Sequence, residues 1–344
     1  MHQESKAGSQ LLEKESGAPS VYAVIVNWNG ERDTIKCLES LLHASYQNLH
    51  VVISDNGSRE ASLCALQSWI DSRPVGTDAS AIRTCTILRN YRNLGFTGAN
   101  TAGINFALTH NADYILFLNN DTIVTPDFLN IMVRAAESDP KIGIVGCKIF
   151  YTEAEPNGRH RLWSLGGYSF HLGMPINLGS EQYDRPEWKG VRQQDLINGC
   201  CMLLKRAMID IAGVQDDLLF FGIDDVEYSF RASKYGWKNV VARDAVIYHS
   251  ASRSVVSRSG LQVYYLFRNV LYFRFRNFLW YQNLLFLSVF AFRYLFLGCL
   301  YRLLMGQHSI NRGVYLAMRD FWAGRMGECG HEELCCPDRK SHHR

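Results

Sequence analysis

Residues Tyr114-Ile-Leu-Phe-Leu118 are five apolar or aromatic positions in a row, and the run stops on Asn119, Asn120 and Asp121. An unbroken apolar run of this length, closed by turn-forming residues, describes a strand buried on both faces, the habit of a parallel sheet. The flanking sequence agrees. Val21 to Val26, Val51 to Ile53 and Thr84 to Leu88 are further strands. Thr34 to His43, Ala61 to Ile70 and Gly98 to Leu108 lie between them with apolar residues at helical spacing. Pro126 marks the start of a fourth helix, with Phe128, Leu129, Met132 and Val133 on its apolar side, and Ile142 to Val145 returns as a strand. Such alternation predicts an α/β fold with a mostly parallel, Rossmann-like sheet flanked by helices.

At 344 residues, 47% hydrophobic and 20% charged, the chain can bury one large core and carry an appendage. A net charge of +3 argues against a dedicated nucleic-acid binder. The ten cysteines are scattered, mostly inside apolar segments, which fits reduced core thiols and a cytosolic setting better than a secreted disulfide framework. Residues 1–19 are polar, without a long apolar run, and read as a disordered leader instead of a signal peptide.

The strand ends share a chemistry. Strand one finishes in Asn27-Trp28-Asn29-Gly30, strand two in Asp55-Asn-Gly-Ser58, strand three runs to Asn93-Leu-Gly-Phe-Thr-Gly-Ala-Asn100, and strand four ends in Asn119-Asn120-Asp121. In open α/β sheets ligands bind beyond the carboxyl ends of the strands, so these turns line one edge. A nucleotide needs such an edge: a carboxylate for the base or ribose, small residues beside the diphosphate and a metal to neutralise it. Each turn taken singly is equally well explained as a strand closure. No Gly-x-Gly-x-x-Gly follows strand one, and no Gly-x-x-x-x-Gly-Lys-Ser/Thr occurs, which disfavours dinucleotide oxidoreductases and P-loop enzymes.

Together with Phe220-Phe-Gly-Ile-Asp-Asp-Val-Glu-Tyr-Ser-Phe-Arg231, this ordered set resembles the family 2 inverting glycosyltransferases of GT-A fold, most of all their bacterial rhamnosyltransferase and galactofuranosyltransferase branch. The likeness covers roughly residues 20 to 275 and lies in the succession of motifs more than in any one. It implies that Asp55 contacts the nucleobase. Asn27, Asn29, Asn93, Gly95, Asn100 and Asn120 are the other donor-binding candidates on this edge. The likeness further implies that Asn119 and Asp121 stand in the metal-binding aspartate motif, that Asp224-Asp225 carries the catalytic base, and that His249 is a further metal ligand. Asn198 and Gly199 match a segment lining the site, and Arg268 matches an arginine facing the diphosphate.

The chain departs from the commonest pattern at Asn119, where an aspartate is usual. An amide oxygen ligates Mg²⁺ without bringing charge, so ion and donor are expected to bind together. His249 beside oxygen ligands suits Mn²⁺ somewhat better than Mg²⁺; a histidine that simply ends a strand is the plain alternative. Asp224 followed by Glu227 fits a helix capping box, with Gly236 closing the helix. If Asp224 caps, Asp225 is the free carboxylate, suited to take a sugar hydroxyl's proton.

Residues 150–200, rich in glycine and in rings such as Trp163, Tyr168 and Trp188, supply the acceptor side by default, core packing being the equal alternative. Phe278 to Tyr301 is apolar almost throughout. It is long enough to span a bilayer, but Arg293 in its middle costs about 2.5–3.5 kcal/mol on insertion scales. Helices lying in the inner-leaflet interface therefore fit better, helped by Arg274, Arg276, Arg302 and Arg312. A hairpin packed on the catalytic domain, or a homo-oligomer interface, is the alternative. Cys329, His331, Cys335, Cys336, His342 and His343 invite a zinc reading, but without Cys-x-x-Cys units a disordered tail is preferred.

The expected organisation is a leader over 1–19, a GT-A domain over 20–260 (nucleotide-sugar half 20–125, acceptor half 126–260), a helical membrane-associating region over 261–325 and a tail over 326–344. The expected function is Mg²⁺- or Mn²⁺-dependent inverting transfer of a sugar, foremost rhamnose from deoxythymidine-diphosphate rhamnose, to a glycan or lipid-linked acceptor at the cytoplasmic face of the membrane, in cell-surface polysaccharide synthesis. A UDP-sugar transferase of the same fold is the nearest alternative. A nucleotidyltransferase would want a basic Gly-rich loop where Asn27 to Glu31 stands, and a non-catalytic nucleotide-sugar or glycan binder would have no need of both Asp121 and Asp225.

Overall fold

The apolar runs Val21 to Ile25, Val51 to Ile53 and Tyr114 to Leu118 are extended and buried in the computed structural model, which describes residues 17–77, 80–171, 174–250 and 260–335. The first half runs β1 (Val21–Asn27), α1 (Glu31–Leu42), β2 (Leu49–Asp55), α2 (Glu60–Asp71), β3 (Ile82–Arg89), α3 (Gly95–Thr109), β4 (Tyr114–Leu118), β5 (Thr122–Val124), α4 (Phe128–Glu137) and β6 (Ile142–Ala154). β7 (His160–Ser164), β8 (Tyr168–His171), β9 (Met174–Asn177), β10 (Val191–Gln193), β11 (Cys201–Lys205), α5 (Arg206–Ala212), α6 (Asp224–Lys234) and β12 (Lys238–His249) follow. The chain then turns helical with α7 (Gly260–Asn277), α8 (Trp280–Phe290), α9 (Gly298–Leu304), α10 (His308–Trp322) and a short α11 (Glu332–Cys335).

The main sheet has the order β10-β12-β6-β11-β4-β1-β2-β3, with β5 added on β12 and β7 on β6. β3, β2, β1 and β4 are parallel, as the alternation predicts. β11 runs antiparallel between β4 and β6, pairing Cys201 with Leu118 and Met202 with Gly146. That insertion joins the two halves into one mixed sheet. All five residues of β4 are buried, and each large apolar side chain so buried contributes about 1.5–3 kcal/mol.

One core lies between the sheet and α1, α2 and α4. The other lies on the face covered by α3, α5 and α6. Gly103 sets the height of α3: a Cβ there would stand 2.3 Å from Val24 Cγ1, so a side chain would lift the helix off β1. The core cysteines Cys37, Cys147, Cys200 and Cys201 are buried thiols outside any disulfide.

The C-terminal region differs from expectation in two places. α7, read as part of a membrane-interface segment, belongs to a third core in which Val263, Tyr264, Phe267, Val270 and Leu271 pack with Leu196, Val226, Leu316 and Ala317. The segment from 326 to 335, read as disordered tail, packs on it: Cys329 and Leu334 are buried, the Cys329 amide donates to the Tyr265 hydroxyl at 2.8 Å, and His331 Nε2 meets Asp320 Oδ2 at 2.6 Å. These contacts come from residues far away in sequence, which composition does not report. The leader's residues 1–16 and Cys336, His342 and His343 lie outside the described residues. The helix Trp280–Leu304 is long and apolar enough to cross a membrane, and only 11% of its most apolar stretch is buried.

Candidate active site

The polar strand ends do meet on one edge, and most of their side chains hold each other. Asn27 is wholly buried; its Nδ2 donates to Asp55 Oδ1 at 3.0 Å and to Ser58 Oγ at 3.1 Å, while its Oδ1 accepts from Thr34 Oγ1 at 3.0 Å. Asp55 Oδ2 accepts from the Ser58 amide at 3.1 Å. The expected nucleobase contact, Asp55, is thus a buried carboxylate already tied to its own loop. Asn29, left-handed at φ 53°, accepts from the Arg59 amide at 2.9 Å. Asn93 Oδ1 accepts from Asn56 Nδ2 and the Gly95 amide at 2.9 and 2.8 Å. Gly95 has φ +76°, and a Cβ on it would lie 2.5 Å from the Phe220 carbonyl oxygen, so this turn requires glycine. Asn120 Nδ2 donates to Thr34 Oγ1 at 3.1 Å. Asn100 alone of these is buried with neither amide atom partnered.

The turn after β4 carries a different arrangement. β5 pairs with the end of β12, Thr122 opposite His249, which brings His249 Nε2 to 3.0 Å from Asp121 Oδ1. Both side chains are largely buried, and the edge of the Trp163 ring packs on His249 with centroids 4.7 Å apart. Asn119 Oδ1 and His249 Nδ1 are buried without partners. Among the described residues no three His, Cys, Asp or Glu side chains converge on one point. The donor set is therefore one carboxylate, one imidazole and one unpartnered amide oxygen, which suits a divalent cation whose remaining ligands are phosphate oxygens and water.

Asp225 approaches this turn from the other side. The Asn119 amide donates to the Cys200 carbonyl at 2.9 Å, and the neighbouring Gly199 amide donates to Asp225 Oδ2 at 2.8 Å. The Cys200 thiol feels both acidic positions: its pKa is driven well up, first by burial and then by the charges of Asp121 and, more weakly, Asp225. Asp225 also accepts from the Tyr168 hydroxyl at 2.7 Å and, through Oδ1, from the Val226 amide at 2.8 Å. Asp224 is buried and accepts from Gln215 Nε2 at 3.2 Å. Burial, and then the charge of Asp225, raise its pKa to about 7. Burial also raises Asp225, against which its three donors act. Both carboxyls are thus held above the usual aspartate range, and Asp225 has the more donors to its anion.

The capping box read at Asp224 and Glu227 does not form. Ile223 is the N-cap, Asp224 is the first residue of α6, and Glu227 pairs instead with Arg231 Nε at 2.9 Å. Gly236, at φ +83°, does follow the helix end. The loop into α6 holds two left-handed non-glycine residues, Phe220 (φ 62°) and Ile223 (φ 67°), conformations that cost about 1–3 kcal/mol each. Asn269 secures it, its Nδ2 donating to the carbonyls of Leu219, Phe221 and Gly222 at 2.8, 2.9 and 3.0 Å.

Arg268, expected at the diphosphate, is wholly buried. Its guanidinium rests on the rings of Tyr264 and Tyr265, and its Nη1 donates to the Tyr264 hydroxyl at 3.1 Å. It supports the same loop through the Leu219 carbonyl, 3.4 Å from Nη2, and presents no group to a ligand in this structure. Asn198 donates to the Tyr168 hydroxyl and to Asn177 Oδ1 and so lies behind the base. Tyr168 was read only among the rings of the acceptor segment, and Gln215 carried no signal of its own in the sequence. Only their distant partners give them a role.

A parallel sheet whose carboxyl edge carries an acidic turn, extended by an antiparallel strand toward a helix that begins with two aspartates, is the arrangement of the GT-A fold. The same fold occurs in the mannosyltransferase from Pyrobaculum calidifontis solved with GDP-mannose and Mn²⁺, at 15% identity, a TM-score of 0.53 and coverage of 90% of this chain and 89% of that one. The chain belongs to glycosyl transferase family 2, the family's model matching residues 22–211, more than half of its length. It is 27% identical over 245 residues to the O-antigen biosynthesis protein RfbC of Myxococcus xanthus, covering 69% of this chain but only 18% of that protein. It is 25% identical over 229 residues to the N-acetylglucosaminyl-diphospho-decaprenol L-rhamnosyltransferase of Mycobacterium tuberculosis, covering 63% of this chain and 71% of the relative.

Proposed function

We propose that the protein is an inverting transferase that moves a sugar, foremost rhamnose from deoxythymidine-diphosphate rhamnose, onto a glycan or lipid-linked acceptor in cell-surface polysaccharide synthesis. The observation that carries the reading is the approach of Asp225 to the Asn119–Asp121 turn through Gly199 and Cys200. Asp225 accepts the acceptor hydroxyl's proton as that oxygen attacks the anomeric carbon from the face opposite the leaving diphosphate. A single displacement inverts the centre. Asp121 and His249, with Asn119, would hold Mg²⁺ or Mn²⁺, which supplies charge neutralisation at the leaving diphosphate. The Mn²⁺ and GDP-mannose of the archaeal neighbour and the rhamnosyl transfer named for the mycobacterial relative support this.

A membrane-bound acceptor is the second part of the proposal. From Val246 to Arg319 the chain carries nine arginines and no aspartate, glutamate or lysine. The exposed rings and leucines of Trp280–Leu304 lie inside this basic stretch, which suits the anionic cytoplasmic leaflet.

The decisive experiment incubates the purified protein with a panel of nucleotide sugars and Mg²⁺ or Mn²⁺ and measures nucleoside diphosphate release, with and without membrane lipid extract. Release from one donor is expected, abolished by chelator and lowered about 10²–10⁴-fold in Asp225→Asn. Preferential release from a UDP-sugar would move the donor assignment. Tight donor binding without turnover would favour a non-catalytic binder, the reading that the uncharged Asn119 supports.

A further inference from the structure

Asp225 is held from a segment that sequence reading could only assign to the acceptor side. Tyr168 opens β8, and its backbone is fixed at both ends: the amide donates to the Leu196 carbonyl at 3.0 Å, and the carbonyl accepts from Gln194 Nε2 at 2.8 Å. Its hydroxyl lies 2.7 Å from Asp225 Oδ2. Behind it stands Asn198. Asn198 Oδ1 accepts from the Cys200 amide at 2.9 Å, which fixes the orientation of the side-chain amide. Its Nδ2 then points at the Tyr168 hydroxyl oxygen, 2.8 Å away, and at Asn177 Oδ1, also 2.8 Å away. An amide nitrogen can only donate, so the tyrosine oxygen accepts from Asn198 and its own hydrogen is directed to Asp225. The direction of the chain is set.

Resting on the transferase reading above, we propose that Tyr168, oriented by Asn198, is a positioning residue for the transfer step, fixing Asp225 in one rotamer through Oδ2, so that Oδ1, which accepts only the Val226 amide, takes the acceptor's proton on its other lone pair. In that step the acceptor oxygen forms its bond to the anomeric carbon. The bond from that carbon to the diphosphate oxygen breaks with its electron pair on the diphosphate, and the hydroxyl proton passes to Asp225 Oδ1. Tyr168 keeps its own proton, its pKa being driven well above 10 first by burial and then by the Asp225 charge.

The same contact governs ionisation. Burial disfavours a charged Asp225, and the Tyr168 hydroxyl is the first of the groups that oppose it. Among the described residues the titratable groups seen to act with it, besides Tyr168, are Asp224, one residue earlier on the same helix, and the thiol of Cys200, just before β11, which also feels the Asp121 charge. Removing the hydroxyl therefore leaves a buried carboxylate whose anion rests on two backbone amides.

The test is Tyr168→Phe, which keeps the ring and leaves Asn198 bonded to Asn177. The kcat/KM profile for the active donor is measured against pH in wild type and variant. The acid limb is expected to move up by about one pH unit. The fall is expected in kcat at neutral pH, with donor KM unchanged and most of the rate regained at high pH. A fall that is uniform across pH, or no change, overturns the proposal. A thermal-stability cycle over Tyr168→Phe and Asp225→Asn checks the contact without activity, the two substitutions being non-additive if the hydrogen bond exists; additivity overturns it too. A wild type inert toward every donor, with that coupling intact, would instead sink the transferase reading and this role with it.

Discussion

At the residue scale the acidic pair divides its labour by environment. Asp224 has one side-chain donor and complete burial; Asp225 has a tyrosine hydroxyl and two amides. Both titrate higher in the folded chain than an unfolded aspartate does near 3.9. The folded state thus binds their protons more tightly, so the contribution of Asp224 to stability is present below about pH 4 and is lost as pH rises through about 7, and that of Asp225 has the same sign. Asp224→Asn removes its own part of that loss. The variant is expected to melt at a temperature near wild type at pH 5 and above it at pH 8, by about 2–4 °C for each kcal/mol relieved in a chain of this size. A wild-type-minus-variant difference that stays flat between pH 5 and 8 would mean that Asp224 is not shifted. The pairing of two acids before a helix was legible in the sequence. Which of them faces a donor set was not, because Tyr168 and Gly199 arrive from 57 and 26 residues away.

At the scale of elements, the loop between Leu219 and α6 shows strain held by packing. Phe220 and Ile223 occupy left-handed backbone that glycine would take without cost, and the carbonyls of the loop are gathered by Asn269 on α7 and by the Phe96 amide at the start of α3, 2.7 Å from the Phe220 oxygen. This loop launches α6 and with it Asp225. Asn269→Leu is expected to cost about 1–3 kcal/mol, since the buried Leu219 carbonyl and two half-buried ones lose a shared donor. It should lower kcat more than donor affinity, because the base moves while the strand-end turns of β1 and β2 stay locked. Chemical denaturation and donor titration would test this; unchanged stability would show that the carbonyls find water. Sequence patterning identified α6 and its closing glycine. It misplaced the cap, because Asp224 is drawn to Gln215, nine residues earlier, and Glu227 to Arg231 one turn along the same helix, partners that outcompete the box.

At the scale of the whole molecule, the two ends of the chain's chemistry are connected through α7. One face of it secures the acidic loop, and it packs against α10 and the segment from 326 to 335, while the next helix carries exposed Trp280, Leu285, Phe292 and Phe296. If this surface docks on a bilayer, the protein should co-sediment with vesicles containing a third of anionic lipid. It should bind neutral vesicles less well, and lose anionic binding as salt rises, the range of charge interactions shrinking to about 3 Å at 1 M. Replacing Leu285, Phe292 and Phe296 together by serine should weaken binding at least tenfold, each buried ring or leucine being worth about 1.5–3 kcal/mol. Nucleoside diphosphate release in detergent solution should be retained. Equal binding of the triple variant would turn attention to a protein partner on this face.

The sequence by itself determined the parallel half of the sheet, the polar edge where β1 to β4 end, the Asn-Asn-Asp turn and the acidic pair, since each is written in residues adjacent along the chain and in a periodicity that burial enforces. Tertiary structure alone decided the insertion of antiparallel β11 between β4 and β6. It also decided the 3.0 Å approach of His249 to Asp121, the burial of Arg268, expected at the diphosphate, and the tyrosine and asparagine that hold Asp225. The physical reason is the same in each case. A strand's own pattern fixes which residues are buried, but the partner of a buried polar group is chosen by packing among segments tens of residues apart, where hydrogen-bond satisfaction in a dry interior outweighs local preference.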